Sequence, residues 1–379
     1  MTQPDTAFLR SKTRPDYELL PDPIVVADLF SGCGGLTLGL AEAARRQGRG
    51  IDVALAVDSD PDIVEVYAHN FPKANARARA VEDLFDGEPG ESPTPKEVAI
   101  AHEIDRLDWL VGGPPCQGHS DLNNHTRRDD PRNGFYLRMA RAAAVLRPSV
   151  VLIENVPAVV HDRGRVVEQA KAALETIGYR IADTVTQLSQ IGVPQRRRRH
   201  TLLALRDVPV EPDVVLDKVR RKWSRDIRWA IGDLESYGTD NPLDQPSSVS
   251  KENHERIQWL MEHKTEFNLP DDLRPECHQD GDHSYRSMYG RLKWDEPAQT
   301  ITTGFSSMGQ GRYVHPSCPR TLTPHEAARL QYFPDWFDFT RGGIEMRRRM
   351  WATMIGNAVP PKLTIELGRI LLPHMVTSG

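Results

Sequence analysis

Four short apolar runs constrain the fold of this chain more than any other feature. They are Pro23-Ile-Val-Val-Ala-Asp-Leu-Phe30, Asp52-Val-Ala-Leu-Ala-Val57, Asp108-Trp-Leu-Val111 and Ser149-Val-Val-Leu-Ile153. Each is short and bounded by polar or turn-forming residues, so each reads as a buried strand. Stretches of helical composition lie at residues 36–47, 61–71, 134–146 and 164–177, and further β-rich runs at 179–191 and 201–205. Strands alternating with helices over residues 23–206 predict an α/β fold with a doubly wound, mostly parallel sheet. In such a sheet ligands bind outside the carboxyl ends of the strands. The residues that terminate each run are therefore the ones to read for chemistry.

The first run ends in Ser31-Gly-Cys-Gly-Gly35, a glycine-rich turn before a helix. That is the layout of a nucleotide-type cofactor site, although the spacing is not Gly-x-Gly-x-x-Gly and the dinucleotide fingerprint is unmet. A tight strand-to-helix turn needs glycine in any case. The second run ends at Asp58, followed by Asp60 as helix cap with Pro61 in the first helical position. Asp58 reads equally as a ribose ligand or as a second cap, and Glu82-Asp83-Leu84 as another strand-end acidic contact. The third run leads into Gly112-Gly-Pro-Pro-Cys-Gln-Gly-His-Ser120. Its prolines fix φ and deliver Cys116 at a stiff strand-end loop. The alternative is a small buried cysteine in a tight turn. The fourth run ends in Glu154-Asn-Val-Pro157, where a carboxylate is costly unless paired or kept neutral.

Composition narrows the setting. The chain has 379 residues, 39% hydrophobic and 27% charged, which suits a globular protein of about two domains. No apolar run is long enough to span a membrane, and residues 1–22 lack the apolar core of a signal peptide. Four cysteines without Cys-x-x-Cys spacing predict a reduced, cytoplasmic setting and no metal site. Net charge is −5 and pI about 6.2, so there is no global signature of polyanion binding. Residues 196–228 nevertheless hold a local excess of Lys and Arg, either a solvated face or a phosphate-tracking surface. Beyond residue 207 the periodicity degrades, which predicts a small irregular second domain with one amphipathic helix at 252–263. Thr323-Pro-His-Glu326 starts a helix with a capping box. Gly356-Asn-Ala-Val-Pro-Pro361 precedes an apolar helix ending near residue 372.

These motifs resemble the DNA (cytosine-5)-methyltransferase family of bacterial modification-enzyme type. Asp28-Leu-Phe-Ser-Gly-Cys-Gly-Gly35 is similar to the family's cofactor loop, and Gly113-Pro-Pro-Cys-Gln117 to its nucleophile loop. Glu154-Asn-Val156 resembles its acid motif, and Gln195-Arg-Arg-Arg-Arg199 its Gln-x-Arg-x-Arg motif. Arg291-Leu-Lys-Trp-Asp-Glu-Pro-Ala-Gln-Thr-Ile-Thr-Thr303, residues 320–335 and residues 356–361 follow in the family's order.

The resemblance implies the S-adenosylmethionine-dependent methyltransferase fold. It divides the chain into a catalytic domain at 1–206, a target-recognition domain at 207–345 and a C-terminal helix at 346–379 packing back beside the first strand. It implies methyl transfer from S-adenosylmethionine to carbon 5 of cytosine in double-stranded DNA. Carbon 5 is a poor nucleophile until a thiolate adds at carbon 6, and sulfur suits that role because it adds and leaves readily. Cys116 is the implied nucleophile. Glu154 is implied to hold ring nitrogen 3 and the exocyclic amine, work that favours a neutral carboxyl. Arg199 is implied to contact the ring carbonyl and Arg197 to steady the acidic residue and nearby backbone, with Gln195 structural.

For the cofactor, the resemblance implies Phe30 against the adenine and Gly32, Gly34 and Gly35 facing the methionine portion. Asp58 would take the ribose, Asp83 the adenine amine, and Asn357 would close the pocket. The sequence around Asp83 departs from the family's Gly-Asp-Ile pattern, and His119 replaces an aromatic residue. The target base must leave the duplex to be reached. The segment with Ser120, Arg127, Arg128 and Arg132 is implied to close over it, with phosphate contacts from Arg220, Arg221 and Lys222 and base reading from 207–285.

Three other functions fit the sequence less well. A tRNA cytosine methyltransferase shares the catalytic blocks but not the separate polar domain. A non-catalytic DNA-binding module predicts loss of Cys116, Glu154 or the glycine turn, all of which are present. A nicotinamide-dependent oxidoreductase needs the dinucleotide spacing that is absent.

Overall fold

A computed structural model describes residues 4–115, 134–235, 241–265, 269–275, 288–343 and 346–375. Cys116, His119, Ser120, Arg127, Arg128 and Arg132 lie outside the described residues. The strands are β1 (Ile24–Leu29), β2 (Ile51–Asp58), β3 (Ala76–Ala78), β4 (Trp109–Gly112), β5 (Val150–Asn155), β6 (Arg180–Gln187) and β7 (Arg198–Leu205). They form one seven-stranded sheet in the order β3-β2-β1-β4-β5-β7-β6. All pairings are parallel except those of β7, which runs against both β5 and β6.

Register explains where the site forms. Leu29 pairs with Gly112 and Gly112 with Ile153, so β1, β4 and β5 end level with one another. Because β7 is antiparallel, it begins where they end, with Thr201 opposite Glu154 and His200 opposite Asn155. The arginine-rich start of β7 is thereby placed at the same edge as the glycine turn and the acid.

The sheet is buried on both faces, as its apolar runs predict. Val150 and Leu152 of β5 join the core under the helices Gly35–Arg45 and Lys362–Leu371. Val151 and Ile153 point the other way, towards the helices Phe135–Leu146 and Val166–Thr176. This alternation is the period-2 pattern of a strand.

The C-terminal helix was expected beside the first strand. It lies instead against the helix Gly35–Arg45, where glycines permit close approach. A Cβ on Gly39 would come within 2.0 Å of Thr364 Oγ1, and one on Gly35 within 2.2 Å of the Val359 carbonyl. Thr364 Oγ1 donates to the Leu36 carbonyl at 2.8 Å. Residues 208, 215, 216, 219, 227, 230, 231 and 234 contribute to this same core, so no gap in packing marks position 206. A smaller cluster of Ile257, Leu260, Leu269, Met308 and Val314 lies apart from it.

Sequence patterning missed β3 and the helices Pro4–Leu9, Pro212–Lys218 and Arg348–Asn357. The polar amino-terminal stretch is anchored by buried Asp5, Phe8, Leu9 and Tyr17. Among the described residues no helix is long and apolar enough to cross a membrane.

Candidate active site

The strand ends open into a cleft of about 750 Å³. One half is built by the turn after β1. Phe30 and Gly32 have φ of +55° and +53°, and Gly34 has φ of +95°. Gly34 also faces inward: a Cβ there would lie 2.7 Å from the Phe71 ring. Gly34 therefore shapes the turn from behind, while Gly32, Cys33 and Gly35 line the cleft. No side chain caps the first turn of the helix Gly35–Arg45, so its amides can receive an anion. The Cys33 thiol is pushed up to about 12 by burial and is chemically quiet.

Asp58 is held at the end of β2 from two sides. The Gly32 amide donates to its Oδ2 at 2.9 Å and the Asp60 amide to its Oδ1 at 3.1 Å. Burial raises this carboxyl above its ordinary value, against the pull of those amides. Asp60 caps the next helix with Pro61 behind it, as the sequence predicts. Phe30 packs on Phe135 with ring centroids 5.6 Å apart, and both rings line the cleft. Asp83 does not line it. It is exposed on the short turn Val81–Asp83, and half-buried Glu82 faces the cleft instead.

The other half holds the acid and two arginines. Glu154, nearly buried at the end of β5, has its Oε1 2.8 Å from Arg199 Nε. This is a charge contact without a directed hydrogen bond, since the same oxygen has no hydrogen-bond donor. The resemblance gave Arg197 the acid and the nearby backbone to steady. Its hydrogen bonds go to the backbone, one guanidinium nitrogen donating to the carbonyls of Ile301 at 2.9 Å and Gly356 at 3.1 Å. Burial, with Arg199 beside it, pushes Arg197 down to about 9, and its Nε has no hydrogen-bond partner. Arg197 thus ties the late segments of the chain to the start of β7.

Gln195 is fully buried and structural, as expected. Its Nε2 donates to Gln331 Oε1 at 2.6 Å, its Oε1 accepts from the Ile301 amide at 3.1 Å, and Gln331 Nε2 donates to the Ile355 carbonyl at 2.5 Å. This amide chain fixes the wall made by Thr302, Thr303, Thr353, Met354 and Asn357. Gly356 is required there, because a Cβ would strike the Thr303 amide at 2.3 Å. Asn155 Nδ2 donates to the Pro114 carbonyl at 3.3 Å and so secures the loop that leads to Cys116.

Thirteen residues proposed from the sequence are described. Phe30, Gly32, Gly35, Asp58, Glu154, Arg197, Arg199 and Asn357 share the cleft. Gly34 and Asp83 border it, and Arg220, Arg221 and Lys222 lie away from it. Arg221 donates to Glu366 at 2.5 Å on the C-terminal helix, and Arg220 pairs with Asp217 at 3.7 Å. Sequence reasoning missed Phe135, Thr302, Thr303 and Thr353. The only signal for Phe135 was an aromatic directly after the polar loop.

Comparison with known proteins agrees with this geometry. The family model C-5 cytosine-specific DNA methylase matches residues 24–372. The chain is 44% identical over 363 residues to the Type II methyltransferase M1.BsuMI of Bacillus subtilis, covering 96% of this chain and 84% of the relative. It is 30% identical over 355 residues to the Type II methylase M.HgiDII of Herpetosiphon aurantiacus, covering 91% and 93%. Among solved structures, the S. pombe Dnmt2 methyltransferase shares the fold with a TM-score of 0.60 at 18% identity, covering 93% of this chain and 98% of that one.

Proposed function

This chain belongs to the C-5 cytosine-specific DNA methylase family, and from that premise we propose that it methylates carbon 5 of a flipped-out cytosine in duplex DNA. The methyl donor in this reading is S-adenosylmethionine, and the context is the modification arm of a restriction-modification or phage-defence system. The observation that carries the reading is a single cleft joining the glycine turn and Asp58 to Glu154 and Arg199.

The residues present fit the donor. The uncapped helix start suits its carboxylate, Asp58 its ribose hydroxyls, and the Phe30 and Phe135 rings its adenine. Glu82, rather than Asp83, is the carboxylate placed to meet the adenine amine. When bound, the donor supplies an electrophilic methyl group.

At the other end Cys116 is the proposed nucleophile, adding to carbon 6 so that carbon 5 becomes an enamine carbon. Glu154 orients the base through ring nitrogen 3 and the exocyclic amine. Arg199, already against Glu154, takes the ring carbonyl and sets the direction of the acid. Arg197 acts as a positioning residue through Ile301 and Gly356. Ser120, Arg127, Arg128 and Arg132 remain proposed contacts over the flipped nucleotide. Residues 207–345 remain the proposed target-recognition domain, with base reading in 207–285, in a cytoplasmic enzyme acting on duplex DNA.

Cys116→Ser tests the mechanism. It abolishes labelled-methyl incorporation into duplex DNA while cofactor and DNA binding persist, and turnover in that variant would sink the proposal. Bisulfite sequencing of plasmid DNA from an expressing host gives the methylated sequence. Incorporation into tRNA but not DNA would replace the substrate.

A further inference from the structure

The helix Arg348–Asn357 presents one stripe to the cleft, and that stripe continues outward as positive charge. Thr353, Met354, Gly356 and Asn357 line the cleft. Arg349, Thr353 and Asn357 stand four residues apart, so they share a face. The Thr353 hydroxyl donates to the Arg349 carbonyl at 2.9 Å, which places Arg349 one turn, about 5–6 Å, beyond the cleft wall. Arg347, Arg348 and Arg349 are all exposed. Arg348 turns aside to donate to the Gln245 carbonyl at 2.7 Å. Arg347 and Arg349 have no ion pair or side-chain hydrogen bond among the described residues.

This differs from the basic stripe that drew attention in the sequence. There Arg196 pairs with Glu296, Arg220 with Asp217 and Arg221 with Glu366, and Arg225 stacks over Trp223 and Trp229. Those four cations are engaged within the fold. In a chain of net charge −5, these two exposed guanidiniums, without an ion pair among the described residues, lie one turn from the wall of the functional cleft.

We propose that Arg347 and Arg349 bind backbone phosphates of duplex DNA beside the flipped nucleotide, as a sequence-independent grip at the rim of the cleft. This rests on the DNA-methylating reading above. A phosphate held there fixes the strand one helical turn outside Thr353, and so brings the sugar of the target nucleotide to the cleft mouth. The contact neutralises phosphate charge without touching a base edge, so it adds affinity and not sequence choice.

The test is equilibrium DNA binding by the full chain over a range of salt concentrations. Each lost phosphate contact reduces the slope of log K against log salt by about 0.9. Arg349→Ala therefore flattens the slope by about 0.9 and the Arg347→Ala/Arg349→Ala double variant by roughly 2. Arg349→Lys keeps most of it, since a phosphate needs charge more than a planar fork. Lys96→Ala, which removes an exposed cation paired with Asp86 at 2.9 Å, leaves the slope unchanged. Calorimetric binding of S-adenosylmethionine stays the same in every variant and shows that they are folded. A wild-type slope in the double variant overturns the inference. Weakened S-adenosylmethionine binding also overturns it, by assigning the arginines to the cofactor. Absence of DNA binding by the unaltered chain removes the parent reading instead.

Discussion

Two buried charge clusters in this protein are built on opposite principles. Behind the sheet, Lys362 lies between Asp5 and Glu366, each at 2.7 Å, and all three are nearly inaccessible. Glu366 is met again by Arg221 and Arg369, and Glu42 by Arg45 and Arg46. Every carboxylate there has more than one cation. In the cleft, among the described residues, Glu154 has a single ion pair and Arg197 Nε has no hydrogen-bond partner. The rear cluster is closed and holds elements together. The cleft cluster is left open, with polar capacity that a ligand can take up.

Two buried carboxyls, Asp5 of the rear cluster and Asp28 inside β1, show what a cation partner does. Burial opposes the charge on both. On Asp5, Lys362 and Arg46 overcome it and hold the group at about 2. Asp28 has no cation, only the Thr37 hydroxyl at 2.7 Å with Tyr67 behind it, and it is pushed up to about 8. Two buried carboxyls thus shift in opposite directions, the more deeply buried one upward and the one beside cations downward.

Glu154→Gln is expected to produce the largest effect, lowering methyl transfer by about 10²–10⁴-fold. Thermal unfolding should barely move, and a collapse in stability would show that the cleft pair is structural like the rear one. Lys362→Met should do the reverse. Removing the ammonium that Asp5 and Glu366 share costs about 3–5 kcal/mol in urea unfolding, with turnover per folded molecule little changed. Gly356→Ala lies between the two, because its Cβ meets the Thr303 backbone. Overpacking of this kind costs about 1–3 kcal/mol, and weaker cofactor binding should accompany the lower unfolding midpoint.

The smallest effect is in the pH dependence of unfolding. Asp28 is raised above its unfolded value, so its contribution is complete below about pH 4 and is lost as pH rises towards 8. Asp5 is depressed, so its contribution is present above about pH 4 and is lost as pH falls towards 2. Denaturation of Asp28→Asn should flatten the limb between pH 4 and 8, and Asp5→Asn the acid limb. Interchanged profiles would refute the assignment of cation partners to Asp5 and of their absence at Asp28.

Much of the cleft was legible because its makers sit at strand ends, where local sequence carries the signal. Asp60 and Pro61, the glycine turn, Glu154 and the Thr323 capping box all read correctly, since each acts within a few residues of itself. The partners of Arg197 and Arg221 were not legible. Ile301, Gly356 and Glu366 are more than a hundred residues away, and no spacing rule reaches them. Asp83 and Glu82 show the limit at closest range: adjacent residues on one short turn face opposite ways, and only the turn's orientation decides between them.

The sequence by itself determined the alternating α/β architecture and the family, because apolar periodicity and strand-end motifs are local and ordered along the chain. Only the tertiary structure decided which charges are neutralised inside the fold and which remain free at the cleft. That depends on the antiparallel entry of β7 and on the C-terminal helix lying against the first helix. Both are long-range packing outcomes, in which burial forces every charged group either to find a partner or to face solvent.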